Sequence, residues 1–229
     1  MKSFMGYTLV YTQVLEFFPY LIKGAIISLQ IAILAFFGGM FFGLIFATIR
    51  TFGSKLMNTL VIWYVTFFTN TPQLVQIYFL FFALPEFGIL LSPFMAVLVG
   101  MTLNAAAYLC EIQRAGFLSI RQNELDAAKT LNFTLTQQVK YVILPHIMKV
   151  LFPPLSNHYI IMTLGTSMAA IFGVEELTGR AFNINSETFR SVEIFSLTAL
   201  VYIVITFIAT FLLAVIGRYF FKAKMRIIQ

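Results

Sequence analysis

Few side chains in this sequence could do chemistry, and most of those are hydrogen-bonding groups set within apolar runs. Asn104 and Tyr108 lie four residues apart, on one face if the run is helical, and Glu111 follows three residues on. Gly165, Thr166 and Ser167 form a second small polar group inside another apolar stretch. An amide, a phenol and two hydroxyls can bond a neighbouring helix, or they can replace water around a polar solute. The residues alone leave both readings open. His146 and His158 sit twelve residues apart without a carboxylate or cysteine at ligand spacing, so no metal is expected. No Gly-x-x-x-x-Gly-Lys-Ser/Thr loop occurs, so nucleotide phosphates have no usual cradle on this chain. No nucleophile with an adjacent base stands out, so an enzyme is not expected.

The elements that must position these groups are set by the solvent the chain is built for. Its 229 residues are 60% hydrophobic and only 10% charged, with a mean hydropathy of +0.90. A soluble domain of this size cannot bury so much apolar side chain, so the solvent is a bilayer. The expected fold is an all-α integral membrane protein, a single domain over 1–229. It has five transmembrane helices at about 21–49, 57–84, 89–109, 154–172 and 194–220. The longest charged interruption, about 111–150, holds short helices at the membrane surface. A net charge of +6 is explained by basic residues at span ends, so nucleic acid is not an expected partner. Cys110 lies in an apolar run and reads as a buried, inert thiol. No removable signal peptide is read at the N-terminus.

Within this frame, Gly38, Gly39 and Gly43 give the first span a face where another helix can approach closely. Pro72 should kink the second span, with Asn70, Thr71, Gln73 and Gln76 placed to bond the backbone it frees. Pro153-Pro154 is read as the start of the fourth span, since proline is tolerated in a first turn. That span is too polar to face lipid and must face protein or a wet pathway. The stretch from Gly173 to Val192 reads as a polar, acidic loop carrying Glu175, Glu176 and Glu187, with Glu193 just beyond. Placing the C-terminus and the 111–150 loop in the cytoplasm leaves only Lys2, Lys23, Arg180 and Arg190 outside. The other 11 of the 15 basic residues are then inside, which orients the chain with its N-terminus extracytoplasmic.

The interruption between the third and fourth spans is punctuated like a pair of capped helices. Asn123 is expected to cap the first, with Asp126 reaching back to the cap amide. Glu124 and Asp126 lie in the first turn and Lys129 near the last, as the helix dipole favours. Asn132 stands where the chain must turn left-handed, and Thr134 to Gln137 spells a second capping box. Two short helices with a tight bend make a rigid knob suited to a partner's groove.

Asp126-Ala127-Ala128, Asn132 and Val142-Ile143-Leu144-Pro145 resemble the EAA loop of permease subunits in bacterial ABC importers. That signature runs Glu-Ala-Ala, three residues, Gly, nine residues, Ile-x-Leu-Pro. The spacing matches throughout, with Asp126, Asn132 and Val142 as the departures. Thr71-Pro72-Gln73-Leu74-Val75-Gln76, Asn104 to Tyr108, Arg114-Ala115-Gly116 and Gly173 to Leu177 resemble the polar amino-acid branch. The resemblance implies an ATP-driven importer in a bacterial inner membrane. This chain would form half of its pathway and dock a separate ATPase through 123–145, with Glu124, Asp126, Ala127, Ala128, Asn132 and Pro145 as the coupling residues. ATP and Mg would then sit on two partner ATPase subunits, and an extracytoplasmic binding protein would deliver the ligand.

The family's ligand pocket lies between the third and fourth spans, which assigns Asn104, Tyr108, Gly165, Thr166 and Ser167 to the substrate pathway. Relatives often read Lys-Asp-Thr-Ser where this chain has Leu164-Gly165-Thr166-Ser167, and often carry Arg where it has Thr69. The missing charges favour pairing with a different permease subunit over a homodimer. The competing functional reading is an ATP-independent secondary transporter or channel subunit, for which no internal repeat is visible.

Overall fold

In the computed structural model, residues 8–220 are described; they form helices joined by short turns, with no strand among them. Lys2, Lys222, Lys224 and Arg226, used in the charge count above, lie outside the described residues. Three helices are long and apolar enough to cross a membrane, or four if a bent pair is one span. They are α2 (Phe18–Phe52), α5 (Pro93–Leu118) and α10 (Ser191–Phe220). The bent pair is the helical stretch Leu135–Phe172 with α9 (Leu177–Thr188), which meet at 46°. A short helix, α1 (Tyr11–Leu15), precedes α2, whose first turn takes Pro19.

The packing is built on the glycine face of α2. A Cβ placed on Gly39 would stand 2.5 Å from the Ala105 methyl, and one on Gly43 would stand 3.0 Å from the Cys110 amide. The two backbones touch because there is no side chain between them, as the spacing of Gly38, Gly39 and Gly43 predicts. Further along, the Gln113 amide donates to the Met40 carbonyl at 3.1 Å. Arg50 near the end of α2 pairs with Glu111 on α5, which also holds Arg114 at 3.3 Å. Helix α5 continues to Leu118, beyond the apolar run read as a span at about 89–109. Cys110 is buried in this seam.

Proline shapes the other elements. Helix α3 (Lys55–Thr69) stops before Pro72, and α4 (Gln73–Tyr78) restarts after it. The freed carbonyls are met as expected. Gln76 Nε2 donates to Phe68 and Thr71 carbonyls at 3.0 and 3.1 Å, and Asn70 Nδ2 to the Thr66 carbonyl at 2.8 Å. Two π-helical turns, Phe79–Ala83 and Val139–Ile143, each end two residues before a proline, Pro85 and Pro145. The wider turn makes room for a ring that would strike the carbonyl four residues back.

Pro153 and Pro154 do not start a helix. They lie inside α8, which runs Leu144–Gly165 and then tightens to a 3₁₀ segment, Thr166–Phe172. The expectation failed because Pro145 takes the first-turn position and the helix absorbs the later pair. The stretch from Gly173 to Val192 is likewise not a loop. After a left-handed Gly173 it forms α9, capped by the Glu176 side chain accepting from the Gly179 amide at 2.9 Å. The polar residues that suggested a loop are spent on that cap and on turns.

Replacing Gly39 by Val forces α2 off α5 and is expected to cost about 1–3 kcal/mol. Gly165→Ala meets nothing nearer than 3.7 Å and is expected to leave stability unchanged or slightly higher. Thermal unfolding of the two variants in detergent checks the contrast.

Candidate functional site

Two groups of residues need positioning: the polar pair on α5 with its counterpart at the end of α8, and the hairpin between these helices. In the first group, Asn104 is buried and its amide is already engaged. Nδ2 donates to the Phe68 carbonyl and to Gln76 Oε1, each at 3.1 Å. Thr166 is fully buried, with its hydroxyl on the Thr163 carbonyl at 2.7 Å. Both therefore serve helix packing in this conformation. Tyr108, Gly165 and Ser167 remain accessible. The Tyr108 hydroxyl donates to the Thr69 carbonyl at 3.4 Å, and its ring lies 5.7 Å from that of His158.

Two members of this face were not singled out as pathway residues from the sequence. Gln73 Oε1 comes within 3.8 Å of where a Cβ on Gly165 would stand, and the Gln73 side chain makes no hydrogen bond among the described residues. His158 Nε2 is enclosed without a hydrogen-bond partner among the described residues, and His158 and Gly165 are seven apart on one side of α8. An uncommitted amide and imidazole beside a glycine gap can hydrogen-bond a small polar solute. The signal for Gln73 was Pro72, which fixes the first turn of α4 and with it the direction of Gln73.

In the hairpin, α6 spans Gln122–Thr130 and α7 spans Leu135–Gln138. Asn123 is not the cap of α6. Arg121 holds that position with no side-chain bond, and Asp126 accepts from Gln122 Nε2 at 2.9 Å instead of reaching back to the cap amide. The helix starts two residues earlier because Arg121 is extended and Gln122 supplies the contact that Asp126 takes. The exit is as expected. Asn132 is left-handed at φ 54°, and the Phe133 and Asn132 amides donate to the Ala128 and Lys129 carbonyls, which is a Schellman closure. The Thr134–Gln137 capping box is present in both directions. Glu124 and Asp126 are partly exposed and Ala128 is buried against the hairpin, with Ala127 at the surface and Pro145 in the first turn of α8. From α7 the chain stays helical through the π turn into α8. The second limb of the hairpin and the polar end of the pathway thus lie on one helical stretch, Leu135–Phe172, with α6 joined to it through the bend at Asn132.

Burial revises the expected acidic loop. Glu176 and Glu193 are fully buried, and only Glu175 and Glu187 of the four stand at the surface. Glu176 Oε2 accepts from the Ser28 hydroxyl at 2.8 Å and the Tyr202 hydroxyl at 3.0 Å, while Oε1 takes the Gly179 amide. One carboxylate thereby fastens α9 to α2 and α10.

A family profile described as "Binding-protein-dependent transport system inner membrane component" matches residues 39–222. The chain belongs to that family. This permease is 37% identical over 202 residues to the glutamine transport system permease protein GlnP of Escherichia coli (strain K12), covering 87% of this chain and 92% of the relative. It is 34% identical over 195 residues to the probable amino-acid ABC transporter permease protein YckA of Bacillus subtilis (strain 168), covering 85% and 86%. Its fold is similar to that in a crystal structure of an amino acid ABC transporter with histidines. The TM-score is 0.85 at 29% identity, over 93% of this chain and 99% of that one. The permease is an inner-membrane component, and its three to four apolar spans accord with that place.

Glu176→Leu strands three donors and is expected to lower stability by about 3 kcal/mol or more, with Glu176→Gln costing roughly half as much. Asn132→Val is expected to cost about 1–2 kcal/mol while Asn132→Gly is neutral, since only the β-branched residue resists the left-handed turn. Midpoints of thermal unfolding in detergent, compared with the unaltered permease, test both series.

Proposed function

We propose that the chain is the permease subunit of an ATP-driven importer of polar amino acids, and that the 123–145 hairpin docks a separate ATPase. The observation that carries this is mechanical. The hairpin is closed at its bend by Asn132 and opened again by a capping box, and it continues as helix into the segment holding Gly165, Thr166 and Ser167. A pull on α6 passes through the hydrogen-bonded bend at Asn132 to the second limb of the hairpin, and from Leu135 it runs along continuous helix to the pathway.

In this reading the membrane is crossed five times. The broken stretch Lys55–Phe87 and the stretch Leu135–Phe172 join α2, α5 and α10 as crossings. The hairpin and C-terminus face the cytoplasm and the N-terminus lies outside. Two ATPase subunits carry ATP and Mg, a second permease subunit completes the pathway, and an extracytoplasmic binding protein delivers the amino acid. The two permease halves rock between outward- and inward-facing states as the ATPases close. Glutamine or another polar amino acid fits a site of neutral groups, Tyr108, Gln73, His158, Gly165 and Ser167, with the partner subunit supplying charge. The heterodimer follows from the charges this chain lacks at Gly165 and Thr69. An ATP-independent transporter is not favoured, because the aligned relatives over most of the chain are ABC permeases.

Asp126→Arg with Ala127→Arg is expected to abolish co-purification of the ATPase while the permease stays folded. Undiminished co-purification would overturn the docking role. Uptake into vesicles with and without ATP separates this reading from a secondary transporter.

A further inference from the structure

At the base of α8 an open cavity of about 530 Å³ is lined by Arg121, Glu124, His146, Lys149, Val150 and Pro153. Four of these residues, His146, Lys149, Val150 and Pro153, recur at the spacing of one helical face. Along that face the character changes from charged at the hairpin end to apolar one turn further into the helix. Opposite stands Arg121, at the cap of α6, where no side chain occupies the first-turn amides. The side chains of Arg121 and Lys149 make no hydrogen bond or ion pair among the described residues. Glu124, the cavity's one carboxylate, is 3.5 Å from His146 Nδ1, and His146 Nε2 is 3.1 Å from the Ser119 carbonyl. The acid is thus engaged and the two cations are not. Pro153 and Pro154 have no N–H to offer the carbonyls of Lys149 and Val150, which are left as acceptors without their usual helical partner.

We propose that this cavity is a binding site for the headgroup of an anionic phospholipid. The phosphate sits between Arg121 and Lys149, and a headgroup hydroxyl donates to the freed carbonyls. The start of the acyl chains runs along Val150 and Pro153. The gradient from cationic to apolar along one helix face matches a phospholipid and does not match a free anion, which would need no apolar wall. Basic pockets between membrane helices at the cytoplasmic surface hold such headgroups. The proposal rests on the chain's place in the membrane and not on the docking role of the hairpin.

The test uses the full chain purified in detergent, exchanged into mixed micelles of phosphatidylglycerol and phosphatidylcholine, with bound lipid counted by native mass spectrometry. Phosphatidylglycerol is expected to be retained over phosphatidylcholine. Arg121→Gln with Lys149→Gln is expected to weaken that retention roughly thirtyfold, at the usual contribution of each basic group to an anionic lipid surface. Lys55→Gln, at the start of α3, is expected to leave it unchanged. Equal retention of the two lipids, full retention by the double variant, or displacement of the lipid by inorganic phosphate would overturn the proposal. If the double variant does not fold, the unaltered protein decides. Phosphatidylglycerol should raise its unfolding midpoint and phosphatidylcholine should not, and an equal response to both would refute the site.

Discussion

The continuous helical path of the backbone from Leu135 to Phe172 is the constraint on which the rest of this permease depends. Three prolines fall within it, and any of them could have made a hinge. None does. Pro145 is taken into a first turn behind a π turn, and Pro153 and Pro154 are carried inside α8. In a bilayer each unpaired backbone group costs several kcal/mol, so the surrounding helices favour keeping the helix continuous over opening it. The result is one stiff element with a docking hairpin at one end and a polar 3₁₀ segment at the other.

The other elements hold that element in place. Helices α2 and α5 meet through glycine and alanine, and the Arg50–Glu111–Arg114 group closes their far end. Helix α9 is fixed at 46° beyond the 3₁₀ segment by a left-handed Gly173 and by Glu176. Its carboxylate is matched by donors from Ser28, Tyr202 and the Gly179 amide. A buried charge is tolerated only when its lone pairs are filled in this way. What α4, α5 and α8 bring together is a set of neutral groups, Tyr108, His158, Gln73 and Gly165. That is the environment expected where a solute must be bound weakly enough to leave again.

Much of this was legible in the sequence, for physical reasons. Glycine spacing announced a close helix contact on α2, Pro72 with its polar neighbours announced the broken second element, and Asn132 and Thr134 announced the bend of the hairpin. These are local signals, each enforced by its own backbone requirement. The misreadings have one cause. Pro153-Pro154 looked like a helix start and Glu176 and Glu193 looked like solvated acids, because single-residue chemistry does not reveal what lies across from it. Burial by α2 and α10 turned an acidic loop into a capped helix, and a proline further upstream took the role assigned to the pair. Asn104 and Thr166 are engaged within the helix packing, while Gln73 emerged only once the fold brought its side chain near Gly165.

The central claim is that the hairpin and the pathway helix move as one body. Leu135 at the head of α7 and Ile161 near the polar end of α8 are both exposed. At about 1.5 Å per residue they stand roughly 40 Å apart. Spin labels at these two positions, measured in the assembled transporter without nucleotide and with ATP trapped, read the distance directly. A rigid element predicts the same distance in both states while separations to the partner permease change. A shift of about one helical turn, roughly 5 Å, between Leu135 and Ile161 would contradict it.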